Sequence, residues 1–574
     1  MSISTVSLGN VPQEVLEHIA FFAATADIIG PPTDLAPLLL VNRRHAGGLS
    51  IVSNPHLYAR IFAAKFDVRP VVHRLGVEST TAPKLAAELR RRFALLGRIR
   101  TQIDCFVRPG HQPEEARRMH EMLWTAYVMM LENDGLNERQ LREFAHIDAW
   151  LRDYWFDPNG ASCATFAIRD NAWPPNTELS AVAMWLFWFL LRPDEYFGID
   201  QTSFRNVTSI LKIIALGAHK RCGCSPASAW GTARFIEIVL AHVLIRSAKG
   251  LYGYSSGTFR YPVCQPAWVD YLPELSLKHA LTAFAEYPPL SPPPLATPAI
   301  LSYLSLAQRP SFSLGAFQPT IPLPPSSVSL RVPMSEEWHS EWKRCLSLSG
   351  SKTVGEDLPS KAFRLGSMEG IWEGLFTASY TEFTAYAALL SGAPPPTLHK
   401  SVVAWHTQAW RLREYHLLAL MLPEDEARVS NGDQYRPLSS GDPLRAYLPS
   451  GVKIRQGLES ITIQEPGRDV NLIYDRARID TPVDDEYAAR VRDVLITGEG
   501  HSAWGQFNLI GRIRPSDGFV SLSKEYVDGD RGKWLYRGYL VGDHYGNLAG
   551  RWRDTLSPAA VAGYEGCFFM GRRR

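Results

Sequence analysis

The sequence lacks a long hydrophobic run and a cysteine framework. The most apolar stretch runs from Leu179 to Leu191, between Glu178 and Arg192. A membrane-spanning helix needs about 20 apolar residues, so this stretch is predicted to be a buried helix. Seven cysteines among 574 residues are too few and too scattered for a disulfide framework, which favours a reducing compartment. The opening MSISTVSLGN has neither a basic segment nor an apolar core, so no secretory signal is expected.

An excess of charge of either sign is also missing. Lys and Arg number 60 and Asp and Glu number 58, so the net charge is +2. This balance removes the electrostatic argument for binding nucleic acid or an acidic membrane. The basic segment 84–100 is interpreted as a solvated helix face. With 45% hydrophobic residues, we expect a globular protein of the cytoplasm or nucleus, with no nucleic-acid or membrane partner.

Motifs that would identify an enzyme are scarce. The sequence has no Walker A loop, no dinucleotide-binding glycine pattern and no H-E-x-x-H motif. GYSSG, at residues 253–257, matches the nucleophile elbow with Ser255 as the nucleophile. That elbow needs a strand before it and a helix after it. Only a short apolar stretch precedes Ser255 and Pro262 blocks a long helix, so a hydrolase is the weakest hypothesis.

One group of potential metal ligands occurs in the helical part of the chain. His219, Cys222 and Cys224 form an H-x-x-C-x-C cluster. A structural zinc site needs four ligands. Cys264 or His242 could supply the fourth, but neither spacing is typical of zinc, so we interpret the cluster as a chance grouping. We therefore predict no metal, no cofactor and no catalytic residue.

Hydrophobic periodicity divides most of the chain into three parts. Residues 67–287 carry apolar side chains at helical spacing, which predicts an α-helical region. Residues 288–359 are punctuated by prolines, as in PTIPLPPSS, which predicts an extended linker. Residues 360–574 change to a period of two with turns such as PSDG, which predicts an antiparallel β-barrel. The predicted fold class is multidomain α+β.

The segment before residue 67 has the pattern of three short helices. The first predicted helix is VPQEVLEHIAFFA. The second is LAPLLLVNRR, directly after Asp34, and the third is HLYARIFAAKF, directly after Asn54 and Pro55. We expect Asp34 and Asn54 to cap their helices. Residues 8–66 resemble the F-box, a three-helix module, through the P-Q-E-V-L opening, the L-L-V-N-R run and the L-Y ending.

The F-box resemblance implies a function and a partner. F-box modules dock on a Skp-type adaptor that links them to a cullin-RING ubiquitin ligase, while the rest of the chain captures a substrate. A module this short exposes apolar surface, which gives the docking a physical basis. Asn42 and Tyr58 depart from the family, which often has cysteine and tryptophan there. The resemblance assigns the docking surface or its support to Pro12, Val15, Leu16, Ile19, Leu39, Val41, Leu57 and Tyr58.

The two ends of the β region carry a second resemblance. GIWEGLF places Trp372 in a G-x-W pattern on the first strand, and Arg572 follows the last apolar run. This pairing resembles lipocalin-like barrels, in which a tryptophan packs across the closed end beneath an arginine. Stacking of a guanidinium on an indole gives the pairing a physical reason. GEGHSAWGQFNLIGRIRPSDG, KWLYRGYL and NLAGRWRD also look like the C-terminal region of large fungal F-box proteins.

A barrel of about eight strands either fills with side chains or holds one small ligand. Packing within the core is the alternative to a pocket, since aromatic residues dominate many cores. The stretch 422–447 is a candidate recognition loop. The candidates to line a pocket are Trp372, Trp504, Trp534 and Trp552.

Two hypotheses for the function are favoured over the hydrolase. The first is a non-enzymatic substrate receptor of a Skp-cullin-F-box ubiquitin ligase, which holds a protein target close to a charged conjugating enzyme. The second is a small-ligand-binding β-barrel whose helical N-terminus is only structural. An exposed apolar surface on the first helices favours the receptor, and a ligand-sized barrel interior favours the second function.

Overall fold

A computed structural model divides the chain into two compact units. The first contains the chain up to Ala161 with short additions from 280–288 and 330–336, and the second contains most of the rest from Ser162 onward. The predicted helical region 67–287 is therefore shared between two units. The structure describes residues 11–107, 113–170, 172–175, 177–217, 295–307, 321–325, 334–348, 362–378, 403–419, 437–439, 441–477, 485–529, 531–543, 546–556 and 565–573.

Helices build the described part of the first unit. Helix α4 packs against both α1 and α6, so the N-terminal segment shares its core with the helices that follow it. The bounds are α1 Gln13–Thr25, α2 Leu35–Leu40, α3 Arg43–Leu49, α4 Pro55–Lys65, α5 Arg69–Leu75, α6 Ala82–Arg100, α7 Pro113–Leu131, α8 Leu136–Arg139 and α9 Ile147–Phe156.

The N-terminal segment folds as four helices where the sequence pattern predicts three. The predicted second helix is interrupted at Asn42, whose side chain accepts a hydrogen bond from the His45 amide at 2.9 Å. Asn42 has an extended backbone and caps α3, so α2 ends before it. The predicted cap at Asn54 is confirmed by a bond from the Leu57 amide at 3.1 Å. The expected cap at Asp34 is wrong, because its own backbone is already helical and its side chain caps no amide.

The basic segment 84–100 is not only a solvated face. Arg92 is buried on α6, where its Nε donates to Glu88 Oε1 at 2.9 Å and its Nη2 donates to Glu132 Oε2 at 3.0 Å. Its guanidinium also lies 5.2 Å from the ring centre of Phe62. Two carboxylates and an aromatic face compensate for the loss of hydration, so this positive charge belongs to the core.

The prediction of a buried helix at 179–191 is confirmed. Helix α11 spans Glu178–Leu190, and every residue from Ser180 to Leu190 is buried. Within the described part of the chain, no helix has the length and apolarity needed to cross a membrane. The other described helices after Ala161 are α10 Ala164–Arg169, α12 Pro193–Phe197, α13 Gln201–Gly217, α14 Ala296–Ala307, α15 Met334–Glu337, α16 His339–Leu348 and α17 Asp485–Arg490.

The described residues of the predicted linker 288–359 include helices instead of extended chain. Helix α14 is buried from Ala296 to Leu306 and packs on α11, α13 and two barrel strands. Its only proline, Pro298, lies in the first turn, where a missing amide hydrogen costs no helical hydrogen bond. Although prolines surround ATPAILSYLSLA, the nine residues after Pro298 are apolar enough to form a buried helix, which the proline pattern alone did not indicate.

The predicted antiparallel barrel is confirmed. Strands β1, β11, β10, β9, β8, β7, β6 and β2 pair in that order, and β2 pairs back onto β1 to close a barrel of eight strands. Strands β3 to β5 extend the sheet beyond β2, because the last part of β2 pairs with β5 instead of β1. The strands are β1 Gly370–Ala378, β2 Ala404–Leu418, β3 Lys453–Gln456, β4 Ser460–Gln464, β5 Leu472–Arg476, β6 Val491–Ser502, β7 Gly505–Arg514, β8 Phe519–Tyr526, β9 Lys533–Val541, β10 Asn547–Asp554 and β11 Glu565–Arg572.

Strand direction defines two ends of the barrel. We call the end at which β1 and β8 finish the mouth end, and the end at which they begin the closed end. Residues 362–369 lead into β1 at the closed end. Gly538 and Gly550 are register partners on β9 and β10, and a Cβ on Gly550 would lie 1.9 Å from the Arg537 carbonyl oxygen. Glycine at these positions allows the close strand approach that the curved wall requires.

Candidate functional site

The first candidate site is an exposed row of apolar side chains on α1. Leu16, Ala20 and Ala24 form the buried face of this helix. Val15, Ile19 and Phe22 repeat at spacings of four and three on a different face, where they are 46%, 40% and 67% exposed. We call these three residues the α1 row. An apolar row that a folded unit leaves in water is a common property of protein-binding surfaces.

The positions assigned by the F-box resemblance divide into a surface set and a core set. The buried members are Leu16, Leu57 and Tyr58, with Leu39 half-buried. Tyr58 also donates its hydroxyl hydrogen to the Leu49 carbonyl oxygen at 2.9 Å, which ties α4 to the end of α3. The exposed members are Pro12, Val15, Ile19 and Val41. Only these four are in a position to touch a partner directly.

Four further large apolar residues are exposed in the same segment, namely Phe22, Ile28, Leu40 and Val52. Phe22 completes the α1 row, and its place three residues after Ile19 was a usable sequence signal. Leu40 is 84% exposed at the end of α2, and Val52 is 89% exposed before α4. Sequence reasoning missed Leu40, because periodicity alone does not tell which residue of a leucine run faces water.

The second candidate site is the barrel interior, whose closed end contains Trp372. The indole Nε1 of Trp372 donates to the Met368 carbonyl oxygen at 3.0 Å, and the ring is completely buried. Arg572 lies directly opposite on β11, and its guanidinium carbon is 5.2 Å from the Trp372 ring centre. The expected stacking of these two residues is therefore present. It seals the closed end, so Trp372 is a core residue.

A hydrogen-bond network fixes the segment that covers this closed end. Glu414 accepts from the backbone amides of Gly366 at 2.6 Å and Met368 at 3.0 Å. His416 Nε2 lies 2.7 Å from Glu414 Oε1, and His416 Nδ1 lies 2.9 Å from the Tyr487 hydroxyl. This chain of a buried carboxylate, a buried imidazole and a half-buried phenol resembles a catalytic relay, but its carboxylate is committed to two backbone amides. We assign it a positioning role.

The other three tryptophans of the predicted pocket gather at the mouth end. Phe376 connects them, with its ring centre 5.2 Å from that of Trp504 and 6.2 Å from that of Trp552. Trp534 lies 5.5 Å from Trp552. Trp552 is buried, whereas Trp504 and Trp534 are half-buried and cover the core from outside. We call these four residues the mouth cluster. Trp372 lies four residues from Phe376 along β1, or about 13 Å, so it is at the opposite end of the barrel from the other three tryptophans.

A lysine that sequence reasoning missed lies beside the mouth cluster. Lys524 is 1% exposed on β8, and its Nζ lies 3.9 Å from the ring centre of Phe507 and 4.8 Å from that of Tyr526. Its hydrogen-bond partner is Gln408 Oε1 at 3.4 Å. Burial lowers the pKa of the Lys524 amine to about 7. The sequence did contain a sign that Lys524 is buried. Side chains alternate along β8, so position 524 lies on the same face as Val520 and Leu522.

Several candidates from the sequence lie outside the described residues. These are Ser255, the His219, Cys222 and Cys224 cluster with its possible fourth ligands Cys264 and His242, the parts of the linker 288–359 outside 295–307, 321–325 and 334–348, and most of the loop 422–447. In the described part of the chain, no cluster of three or more His, Cys, Asp or Glu residues could hold a metal ion. The chain matches no protein-family model, no curated protein and no solved structure.

Proposed function

We propose that this chain is the substrate-receptor subunit of a Skp-cullin-F-box ubiquitin ligase, with residues 8–66 docking on a Skp-type adaptor. The α1 row carries the proposal. It presents three apolar side chains to water on a helix whose opposite face anchors it to the first unit. The sequence pattern of the segment supplies the identity of the partner, and the exposed row supplies a surface for it.

Burial of the α1 row would contribute favourable free energy to docking. Completing the burial of one half-exposed valine, isoleucine or phenylalanine is worth about 1 kcal/mol or more. Burial of the whole α1 row, together with Leu40 and Val41, contributes several times that amount. Hot-spot residues of protein interfaces have the same character, since they are large side chains that become fully desolvated by the partner.

The mechanism requires no catalytic residue in this chain. A receptor raises the effective concentration of a target lysine near the conjugating enzyme by holding the target in place. In this proposal the N-terminal segment holds the adaptor, and the remaining helices and the barrel hold the protein substrate. The protein is then a non-catalytic ligase subunit of the cytoplasm or nucleus.

Binding of the intact chain to a purified Skp-type adaptor tests the proposal. Ile19→Asp and Phe22→Asp place a charge in the α1 row and should weaken binding at least roughly 30-fold, which corresponds to 2 kcal/mol. Leu16 and Leu57 are unsuitable targets, because a charge at either buried position would disrupt the first unit itself. Isothermal titration calorimetry measures the affinity.

A matched control separates docking from folding. Val77 is 73% exposed in the same unit, between α5 and α6. Val77→Asp should leave adaptor affinity unchanged, and all three variants should keep the helical circular dichroism of the parent. The proposal fails if the intact folded chain does not bind the adaptor, or if Val77→Asp weakens binding as much as Ile19→Asp.

A further inference from the structure

Lys524 is a buried amine that has no counterion among the residues that the structure describes. Four aromatic rings surround its Nζ, since Phe376 at 5.3 Å and Tyr536 at 5.6 Å add to the two nearer rings, Phe507 and Tyr526. Gln408 is neutral and supplies a single acceptor at 3.4 Å. Among the residues that the structure describes, no carboxylate forms an ion pair with Lys524, and only loss of hydration perturbs the amine. If this position had only a structural role, methionine or leucine would fill it without the cost of burying an amine.

The chemistry around Lys524 favours the uncharged amine. The titratable side chains that face it are the phenols of Tyr526 on β8 and Tyr536 on β9, and His406 of β2 lies at the same mouth against Trp504. Burial raises the pKa of Tyr536 and lowers the pKa of His406, so both groups are neutral near pH 7. Within the described ranges no anion therefore holds the lysine in its ammonium form, and its nitrogen lone pair is available near neutral pH.

We propose that Lys524 is the anchoring amine of a small-molecule site at the mouth end of the barrel, and that it captures aromatic or unsaturated aldehydes as an imine. The ligand class follows from the surroundings. Aromatic walls suit a flat apolar body, and an amine is the group that forms a covalent bond with a carbonyl carbon. This inference does not rest on the proposed ligase function, because it concerns a different unit of the chain.

The step balances without any oxidant or reductant. The Nζ lone pair attacks the aldehyde carbon, a proton passes from nitrogen to oxygen, and the carbinolamine loses water to leave a C=N bond. Protonation of the imine then gives a cation at the place where four ring faces surround Nζ. The negative faces of the rings stabilise such a cation. The dry interior also slows hydrolysis of the imine.

The neighbouring polar groups fit an oxygen-bearing ligand. The buried indole Nε1 of Trp410 has no hydrogen-bond acceptor among the described residues, and its ring lies 5.4 Å from that of Tyr536, which also borders Lys524. A donor left without an acceptor inside a barrel costs free energy. The oxygen of the aldehyde, or of its carbinolamine, is an acceptor of the kind that Trp410 lacks. Trp504 and Trp534, both half-buried, pack over this core, so in this proposal the ligand enters past them.

Reductive trapping on the intact chain tests the proposal. The protein is incubated at pH 7 with trans-cinnamaldehyde and sodium cyanoborohydride, which converts the imine to a stable secondary amine, and digested peptides are read by mass spectrometry. At pH 7 about half of Lys524 is uncharged, compared with about one in 2,500 for a lysine of ordinary pKa. We expect Lys524 to be modified at least roughly tenfold faster than Lys533, which is exposed at the same end of the barrel.

Variants make the outcome decisive. Lys524→Arg keeps a cation and should abolish the fast adduct, whereas Lys533→Arg should leave it unchanged. Phe507→Leu keeps the amine but removes the nearest ring, so aldehyde should be released faster in the absence of cyanoborohydride. The proposal is overturned if Lys524 of the folded chain stays unmodified, or reacts no faster than Lys533. It is also overturned if trans-cinnamate binds at Lys524 while trans-cinnamaldehyde leaves no adduct there, because the site then holds acids.

Discussion

Replacing Lys524 with methionine should stabilise the barrel, and by an amount that depends on pH. Methionine has a similar length and flexibility, so it fills the same space among the aromatic rings without an amine. The substitution removes a group whose charged form the interior disfavours. Because the lysine is 1% exposed, solvent screening does not reduce the effect.

The magnitude follows from proton linkage. Burial lowers the pKa of Lys524 from 10.5 to about 7, so between these values the unfolded chain binds a proton that the folded chain lacks. Stability therefore falls as the pH drops from 10.5 to 7 and levels off below 7. With a folded-state pKa of about 7, the penalty amounts to about 5 kcal/mol at pH 6 and about 1 kcal/mol at pH 9.5. We expect Lys524→Met to raise the free energy of unfolding by up to about 5 kcal/mol at pH 6 and by about 1 kcal/mol at pH 9.5.

Urea unfolding at both pH values measures the effect, with hydrogen exchange of the β8 and β9 amides used to follow the barrel separately from the helical unit. Lys533→Met is the matched control, because Lys533 is exposed at the same end and forms only a surface ion pair with Glu525 at 3.0 Å. Its effect should stay within about 0.5 kcal/mol at either pH. The reasoning is refuted if Lys524→Met destabilises the barrel at pH 6, or if its gain is the same at pH 6 and pH 9.5.

Two further substitutions test local features of the fold. Asn54→Ala removes the cap of α4 and should lower the free energy of unfolding of the first unit by about 1 kcal/mol, while Asn54→Asp, which keeps an acceptor, should recover most of the loss in thermal unfolding. Glu414→Gln turns an amide donor towards the Gly366 or Met368 amide and should cost about 2 kcal/mol in urea unfolding of the barrel. The half-exposed Glu373 supplies the control, and an equal loss for Glu373→Gln would contradict the positioning role of Glu414.

Local features near the N-terminus were largely predictable from the sequence. The helical spacing and the Asn54-Pro55 start were correct, because a cap and the helix it starts depend on residues within one turn. The interruption at Asn42 was also a local signal, since asparagine favours the capping position, but the leucine run beside it concealed the break. Exposure of Leu40 beside half-buried Leu39 was not predictable, because it depends on how α2 packs against α1 and α3.

In the barrel, too, local features were predictable from the sequence, whereas features that depend on tertiary packing were not. Its period of two and its turns predicted the strands, and the G-x-W pattern with a late arginine predicted the stacking of Trp372 and Arg572. The linker prediction was wrong for α14. Proline restricts the backbone locally, but proline content does not indicate whether a short apolar helix packs against another surface.

The sequence by itself determined the fold class, the capped start of α4, and the Trp372–Arg572 pairing. Each depends on local backbone preference or on the alternation of side chains along one strand. Only the tertiary structure decided that Phe22 faces water, that α14 covers part of the barrel, and that Lys524 lies among four aromatic rings with no carboxylate from the described residues beside it. Those properties depend on which distant strands and helices become neighbours. Burial and the loss of hydration, and with them the pKa of Lys524, exist only after the chain has closed around the residue.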